Sequence, residues 1–124
     1  LDGWKVYFGG DLARWVWDDL SAEETTLYLD YYDHLINRLA EEEIDIAFSN
    51  ADRRIAGWSG APEFIRTVKP GVFVPMHTFN ETHYLEEFGN HMGKTCSNIF
   101  LYRQVGDRYT CRTGQEIPSP AEEC

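Results

Sequence analysis

Two short stretches of this chain each end an apolar run with a side chain that can bind a metal ion. One is Phe8-Gly9-Gly10-Asp11-Leu12, and the other is Val72-Phe73-Val74-Pro75-Met76-His77. A carboxylate and a neutral imidazole suit a hard or borderline divalent ion, but a catalytic site normally takes three protein ligands and leaves one position for water. Asp11 and His77 are therefore predicted to be two ligands of a metal site. Taken singly, Asp11 is also typical of a turn or cap, and His77 of a hydrogen-bonded histidine at a strand end.

The segments that carry these residues alternate between strand-like and helix-like patterns, without an internal repeat. Such alternation is typical of α/β domains. A capping box at Ser21-Ala22-Glu23-Glu24 predicts the start of a long helix that runs to about Glu43. The residues predicted to form its buried face recur every four positions: Leu27, Tyr31, Leu35 and Leu39.

The remaining elements follow from short apolar runs and from residues that stop helices. Strands are predicted over residues 4–8, 44–48 and 72–75, further helices over 61–68 and from the cap Asn80 to Gly93, and a closing hairpin over 98–103 and 108–112 around Gly106-Asp107. Right-handed crossovers make the first three strands parallel, so the loops that follow them open on one edge of the sheet. That edge is predicted to gather the polar residues of these loops: Asp11, Asn50, Asp52, Arg53, Arg54, His77, Thr78 and Asn80.

Composition narrows the classes of partner. The chain has 124 residues, is 43% hydrophobic, and carries a net charge of −10 because 11 Lys and Arg face 21 Asp and Glu. A nucleic-acid partner is not expected, because phosphate binding needs clustered basic residues, and a membrane surface is disfavoured for the same reason. Cys96, Cys111 and Cys124 lack CxxC spacing and are odd in number, so no disulfide framework is predicted. We expect a soluble, cytoplasmic protein.

Both ends of the chain carry turn or linker signals. Asp2-Gly3 is a hairpin turn signal without a strand before it, which suggests that an N-terminal part is missing. From Thr113 onward the sequence is rich in Gly, Pro, Ser and Glu. We therefore expect a folded domain over residues 1–112 and a flexible tail over residues 113–124.

Four motifs occur in order and at sensible spacing along the domain. They are the strand followed by Gly9-Gly10-Asp11-Leu12, then Ile44-Asp45-Ile46-Ala47-Phe48, then Ala61-Pro62-Glu63-Phe64-Ile65 leading to Val68-Lys69-Pro70, and then Val74-Pro75-Met76-His77. Together they closely resemble the C-terminal half of metallo-β-lactamase-fold hydrolases over about residues 4–88. The resemblance is strongest to the branch with a Trp-rich stretch after the Asp motif, here Ala13-Arg14-Trp15-Val16-Trp17, and with Asp-x-Arg after the middle strand, here Asp52-Arg53-Arg54.

The resemblance implies half of a four-layer αββα sandwich, with a mixed β-sheet and flanking helices, that holds one or two divalent metal ions, zinc above all. Asp11 would be the carboxylate that bridges the metals and His77 the last histidine ligand. The N-terminal His-x-His-x-Asp-His motif of the family does not occur in this chain. The half alone is therefore expected to be inactive, and no catalytic residue is assigned.

Two functions from different classes follow. The first is a metal-dependent hydrolase in which metal-activated water attacks an ester, lactone or phosphoester of a small-molecule substrate. Asp52, Arg54, Trp15 and Trp17 are its predicted substrate-binding residues, although Arg54 could equally pair with Asp52, and the two tryptophans could simply pack under a loop. The second is a non-catalytic structural or interaction module that keeps the half-fold. Either would expose a sheet face, so a homo-oligomer or a complementary N-terminal half is the expected partner.

Overall fold

The computed structural model describes residues 3–95 and 97–110. In chain order the elements are β1 (Val6–Phe8), α1 (Ala22–Leu39), β2 (Ile46–Asn50), a 3₁₀ turn (Trp58–Gly60), α2 (Ala61–Val68), β3 (Val72–Met76), α3 (Tyr84–Met92) and β4 (Asn98–Ile99). The predicted α/β class and the alternation of strands and helices are confirmed. The predicted tail over 113–124 and the turn signal at residues 2 and 3 lie wholly or partly outside the described residues.

The four strands form one sheet in the order β1-β2-β3-β4, and every pair is parallel. The prediction of a mixed sheet closed by a hairpin is therefore wrong for the described residues. β4 pairs beside β3 in the parallel sense, and residues 108–110 form no strand, while 111 and 112 lie outside the description. The Asp107 carboxylate accepts hydrogen bonds from the backbone N–H groups of Arg103 and Gln104, so it closes a loop instead of a strand ladder.

All three helices pack on one face of the sheet. Tyr7, Ala47, Phe73 and Ile99 lie opposite one another across the four strands and point into the core. The helical side chains that join them in the core are Tyr32 and Ile36 from α1, Phe64, Ile65 and Val68 from α2, and Phe88 and Met92 from α3. The core thus lies between a single sheet and a single helical layer, as right-handed crossovers between neighbouring parallel strands require.

The opposite face of the sheet carries a second set of apolar side chains. Phe8, Phe48 and Val74 share one row across β1, β2 and β3, and the Phe8 and Phe48 rings are in contact with centroids 6.2 Å apart. Phe8 and Val6 are exposed, whereas Phe48 and Val74 are half-buried. We call Val6, Phe8, Phe48 and Val74 the open face.

The predicted buried face of α1 is wrong at its start. Leu27 is 69% exposed and Tyr31 is also exposed, while Tyr32 and Ile36 are buried. A strict four-residue spacing drifts around a helix that has 3.6 residues per turn, so it leaves the core side within two turns. The helix begins at the predicted capping box, in which Ser21 and Glu24 cap each other, and it ends at Leu39, short of Glu43.

The third helix also begins later than predicted. Asn80 lies in the left-handed region with φ 63°, which is not the extended conformation of a helix cap, and His83 stands directly before the first residue, Tyr84. Among the described residues, none of the helices combines the length and the apolar character that a membrane span needs.

Candidate functional site

Asp11 and His77 meet at the carboxyl edge of the sheet, as predicted. β1 ends at Phe8, and the chain then turns sharply, with a hydrogen bond from Leu12 N–H to the Gly9 carbonyl and with Gly10 at φ 57°. The turn brings Asp11 Oδ1 to 3.1 Å from Nε2 of His77, which directly follows β3. The Asp11 side chain is 94% exposed and that of His77 20% exposed, so solvent reaches the pair.

The His77 backbone holds an unusual conformation. His77, Phe79 and Asn80 all have φ values between 50° and 63°, a region that L residues rarely adopt and that is frequent at functional sites. His77 Nε2 lies 3.2 Å from the Gly10 carbonyl oxygen as well, so an Nε2–H would be shared between Gly10 and Asp11. The loops after β1 and β3 are thereby joined through one imidazole.

The pair fits two positions of a divalent metal site. Two ligands bound tetrahedrally at about 2.0–2.1 Å from one zinc ion lie roughly 3.3 Å apart, close to the Asp11–His77 distance. Within residues 3–95 and 97–110, however, no group of three His, Cys, Asp or Glu side chains is arranged to hold a metal. His83 is not a third ligand in this arrangement, because its Nε2 lies 3.1 Å from Nη1 of Arg53.

Asp52 and Arg54, from the loop after β2, form a two-pronged ion pair. Arg54 Nη2 donates to Asp52 Oδ2 at 2.6 Å, and Arg54 Nε donates to Asp52 Oδ1 at 3.0 Å. The Asp52 side chain is 1% exposed and that of Arg54 59% exposed. Burial raises the pKa of the Asp52 carboxyl, but the hydrogen bonds and charge of Arg54, with a smaller effect from His77, leave this pKa below its ordinary value.

The Arg54 guanidinium also contacts the loop of His77. Its central carbon lies 4.2 Å from the centre of the Phe79 ring, within cation–π distance, and the Phe79 ring meets His77 edge to face at 5.6 Å. Asp52 and Arg54 therefore lie beside the Asp11–His77 pair, as the sequence predicted. The role of Phe79 was not predicted, because nothing in the sequence shows that the loop turns left-handed there.

Asn50 and Ser59 hold the Asp52 backbone from the inside. The Asp52 N–H donates to Asn50 Oδ1 and to Ser59 Oγ, each at 3.0 Å, and Ser59 Oγ donates to Asn50 Oδ1 at 2.5 Å. The buried Asn50 Nδ2 has no partner in the part of the chain that the structure describes. Asn50 was predicted at this edge, whereas Ser59 gave no sequence signal because its position depends on a left-handed turn at φ 52°.

A groove of about 570 Å³ opens beside the Asp52–Arg54 pair. Its walls are Arg53, Arg54, Ile55, Ala56, Gly57, Trp58, Tyr84 and Glu87. Arg53 Nη2 forms an ion pair with Glu81 Oε2 at 3.0 Å, and the Arg53 guanidinium lies over the Tyr84 ring. The groove therefore carries two guanidinium groups, each of which contacts a carboxylate.

Trp15 and Trp17 are placed at a different groove. Their rings stack on each other with centroids 5.6 Å apart and planes inclined by 10°. With Leu20 and Tyr28 they line a groove of about 310 Å³ that shares no lining residue with the larger one. The structure does not bring the two tryptophans to the groove beside Arg54.

Comparisons of the chain with models of protein families, with curated proteins and with solved structures find no match. What the chain does is therefore inferred from its own residues and from their geometry.

Proposed function

We propose that this chain is the C-terminal half of a metal-dependent hydrolase with the metallo-β-lactamase fold, a four-layer αββα sandwich when complete. The observation that carries the proposal is the 3.1 Å approach of the Asp11 carboxylate to the His77 imidazole. These residues follow two parallel strands, β1 and β3, that are separated by β2, and they are the two that the family resemblance assigns as ligands. A carboxylate oxygen and an imidazole nitrogen at this distance fit two ligand positions around one zinc ion.

Asp11 and His77 would hold a divalent ion, with zinc the best fit to one oxygen and one nitrogen donor. When bound, the metal supplies activated water for attack on an ester, lactone or phosphoester. The chain's own contribution is orientation. The left-handed backbone at His77 places the imidazole beside Asp11, and an ion bound at Nε2 would replace the proton that this nitrogen shares with Gly10 and Asp11.

Arg54 would bind an anionic or carbonyl group of a small-molecule substrate. Its Nε and Nη2 atoms are bonded to Asp52, and Nη1 has no partner in the described ranges. Asp52 is then a positioning residue, because the ion pair and the Phe79 ring keep the guanidinium beside His77. A guanidinium fixed on one side presents its other donors at little cost in conformational entropy.

The open face would receive the N-terminal half of the sandwich or, in its absence, a second copy of the chain. Val6 and Phe8 are exposed on β1, and the half-buried Phe48 and Val74 continue the same surface. Contiguous exposed apolar side chains on a sheet mark a surface that packs against another polypeptide.

A second candidate is a structural or interaction module that keeps the half-fold without catalysis. It is favoured by the ligand count, because the described residues bring only Asp11 and His77 together where a catalytic metal normally needs three protein ligands. Metal binding distinguishes the two candidates, since only the hydrolase hypothesis predicts that Asp11 and His77 bind a metal ion.

The test is calorimetric titration of Zn²⁺ into the purified chain and its variants. The hydrolase proposal predicts one zinc site whose affinity falls by about tenfold or more, or about 1.4 kcal/mol, in Asp11→Ala and in His77→Ala. His34→Ala is the matched control, because His34 is exposed on α1, and it should bind zinc as the wild type does. Equal affinities in all four proteins would favour the module.

A further inference from the structure

The groove lined by Trp15, Trp17, Leu20 and Tyr28 is a surface feature that the proposed metal site does not use. The Trp15 and Trp17 rings are stacked and nearly parallel, so the pair forms one aromatic wall of the groove. Trp17 is 43% and Tyr28 45% exposed, and the groove of about 310 Å³ is at the lower end of the range of small-molecule sites. We call these four residues the tryptophan groove.

Two acidic residues occupy the turn between Trp17 and Leu20, which both line the tryptophan groove. A hydrogen bond from Leu20 N–H to the Trp17 carbonyl at 3.2 Å closes a turn whose central residues are Asp18 and Asp19. Both aspartates are exposed and have no hydrogen-bond or ion-pair partner within the residues that the structure describes. Two free carboxylates therefore lie in the turn that joins two lining residues.

Within the described part of the chain, no basic side chain lines the tryptophan groove. The nearest basic residue along the chain is Arg14, and it faces Asp33 at 3.7 Å. The whole chain carries a net charge of −10, which raises the local concentration of cations at its surface. The faces of indole and phenol rings are themselves negative because of the ring quadrupole, so they attract a weakly hydrated cation.

We propose that the tryptophan groove binds a small organic ammonium ion, with its alkyl groups against the two indole rings and its charge toward Asp18 and Asp19. A quaternary or alkyl ammonium fits better than a metal ion, because apolar and aromatic walls offer a metal no ligands. The site is independent of the proposed hydrolase function, since its lining residues do not line the groove beside Arg54.

The experiment titrates choline into the ¹⁵N-labelled chain and follows the indole N–H resonances of its four tryptophans. The comparison ligand is 3,3-dimethylbutan-1-ol, which has the shape of choline but no charge. We expect saturable shifts at Trp15 and Trp17 and none at Trp58, which lines the other groove. Choline should bind about fivefold more tightly than the alcohol. A titration with sodium chloride at equal ionic strength corrects for salt.

Three variants assign the effect to the tryptophan groove. Tyr28→Leu removes one aromatic wall and should weaken choline binding by about threefold or more, while Tyr31→Leu, at an exposed residue of the same helix outside the groove, should not. The double variant Asp18→Asn, Asp19→Asn should lower the preference for choline over the alcohol without changing the affinity for the alcohol.

Three results would overturn the proposal. Equal affinities for choline and the alcohol would show that the charge of the ligand does not contribute to binding in the groove. Choline shifts at Trp58 that exceed those at Trp15 and Trp17 would place the ligand elsewhere, and an absence of saturable shifts would leave the groove without such a ligand. A circular-dichroism spectrum identical to that of the wild type verifies that each variant is folded, and the outcome is independent of whether the chain binds zinc.

Discussion

Asp52 stays ionised while it is buried because Arg54 holds both of its carboxylate oxygens. Burial alone would raise its pKa, and the hydrogen bonds and charge of Arg54 reverse the shift. A carboxyl whose pKa is lower in the folded than in the unfolded chain stabilises the fold above its unfolded pKa of 3.8. That contribution is lost as the pH falls through the lower, folded pKa.

The first prediction concerns Asp52→Asn. The variant should lower the free energy of unfolding by about 1–3 kcal/mol at pH 7, because the buried position loses charge-assisted hydrogen bonds. The difference from the wild type should begin to shrink below about pH 4, where the Asp52 carboxyl of the unfolded chain takes up a proton, and should be lost as the pH falls through the lower, folded pKa. Urea unfolding at pH 7 and pH 3 measures it, and Asp18→Asn, at an exposed residue with no ion pair among the described residues, is the control. A difference that stays constant with pH would contradict the role of the ion pair.

At the same scale, the residue types and strand order were enough to predict that Asp11 and His77 meet and that Asp52 and Arg54 lie beside them. The same information did not predict that Phe79 and Ser59 belong to the site. Both take positive φ values that β-carbon-bearing residues rarely adopt, so local propensity predicts other conformations there. Tertiary contacts decide such positions, and a single sequence does not display them.

Helix α1 provides the second prediction, at the scale of the element. Ile36→Ala should destabilise the chain by about 2–5 kcal/mol, because the side chain is buried against the sheet, whereas Leu27→Ala should stay within about 0.5 kcal/mol. Both variants remove the same number of carbon atoms from one helix. Chemical denaturation measures the free energy of unfolding of both variants. Equal losses of stability would mean that Leu27 is as buried as Ile36, which would contradict the buried face described here.

The 3₁₀ turn before α2 gives the third prediction. Gly60 has φ 94°, and an added Cβ would lie 2.5 Å from Arg14 Cβ and 2.9 Å from the Tyr32 ring. Gly60→Ala should therefore cost roughly 3 kcal/mol or more, from strain in the left-handed region together with overpacking. Gly57→Ala, also at positive φ but in open space, should cost only about 1 kcal/mol. Thermal unfolding of the two variants measures the difference, and equal melting temperatures would contradict the close packing at Gly60.

The elements were predictable because their signals are local. The capping box fixed the start of α1, and Pro62 in the first turn of α2 and Lys69 at its end agree with the sequence. β4 was misjudged because its direction depends on pairing with β3, whose residues Val72 and Phe73 are distant in the sequence. Residues 98–103 are a short apolar run, and such a run fits a hairpin arm as well as it fits a parallel edge strand.

At the scale of the whole molecule, the fourth prediction concerns the open face. We expect the purified chain to self-associate reversibly, because exposed Phe8 and Val6 continue an apolar sheet surface. Phe8→Lys should shift the chain toward the monomer in sedimentation velocity at several concentrations. Val105→Lys, which adds the same charge at an exposed loop position, should leave the distribution unchanged. A wild-type chain that stays monomeric at all concentrations would contradict the expectation.

The central proposal is that Asp11 and His77 form part of a zinc site. Zinc K-edge X-ray absorption on the chain loaded with one equivalent of Zn²⁺ reports the ligand types directly. We predict one imidazole nitrogen, oxygen donors at about 2.0–2.2 Å, and loss of the imidazole signal in His77→Ala. Sulfur scattering at about 2.3 Å, or two or more imidazoles, would contradict the proposal, because the metal would then be held by cysteines or by other histidines of the chain.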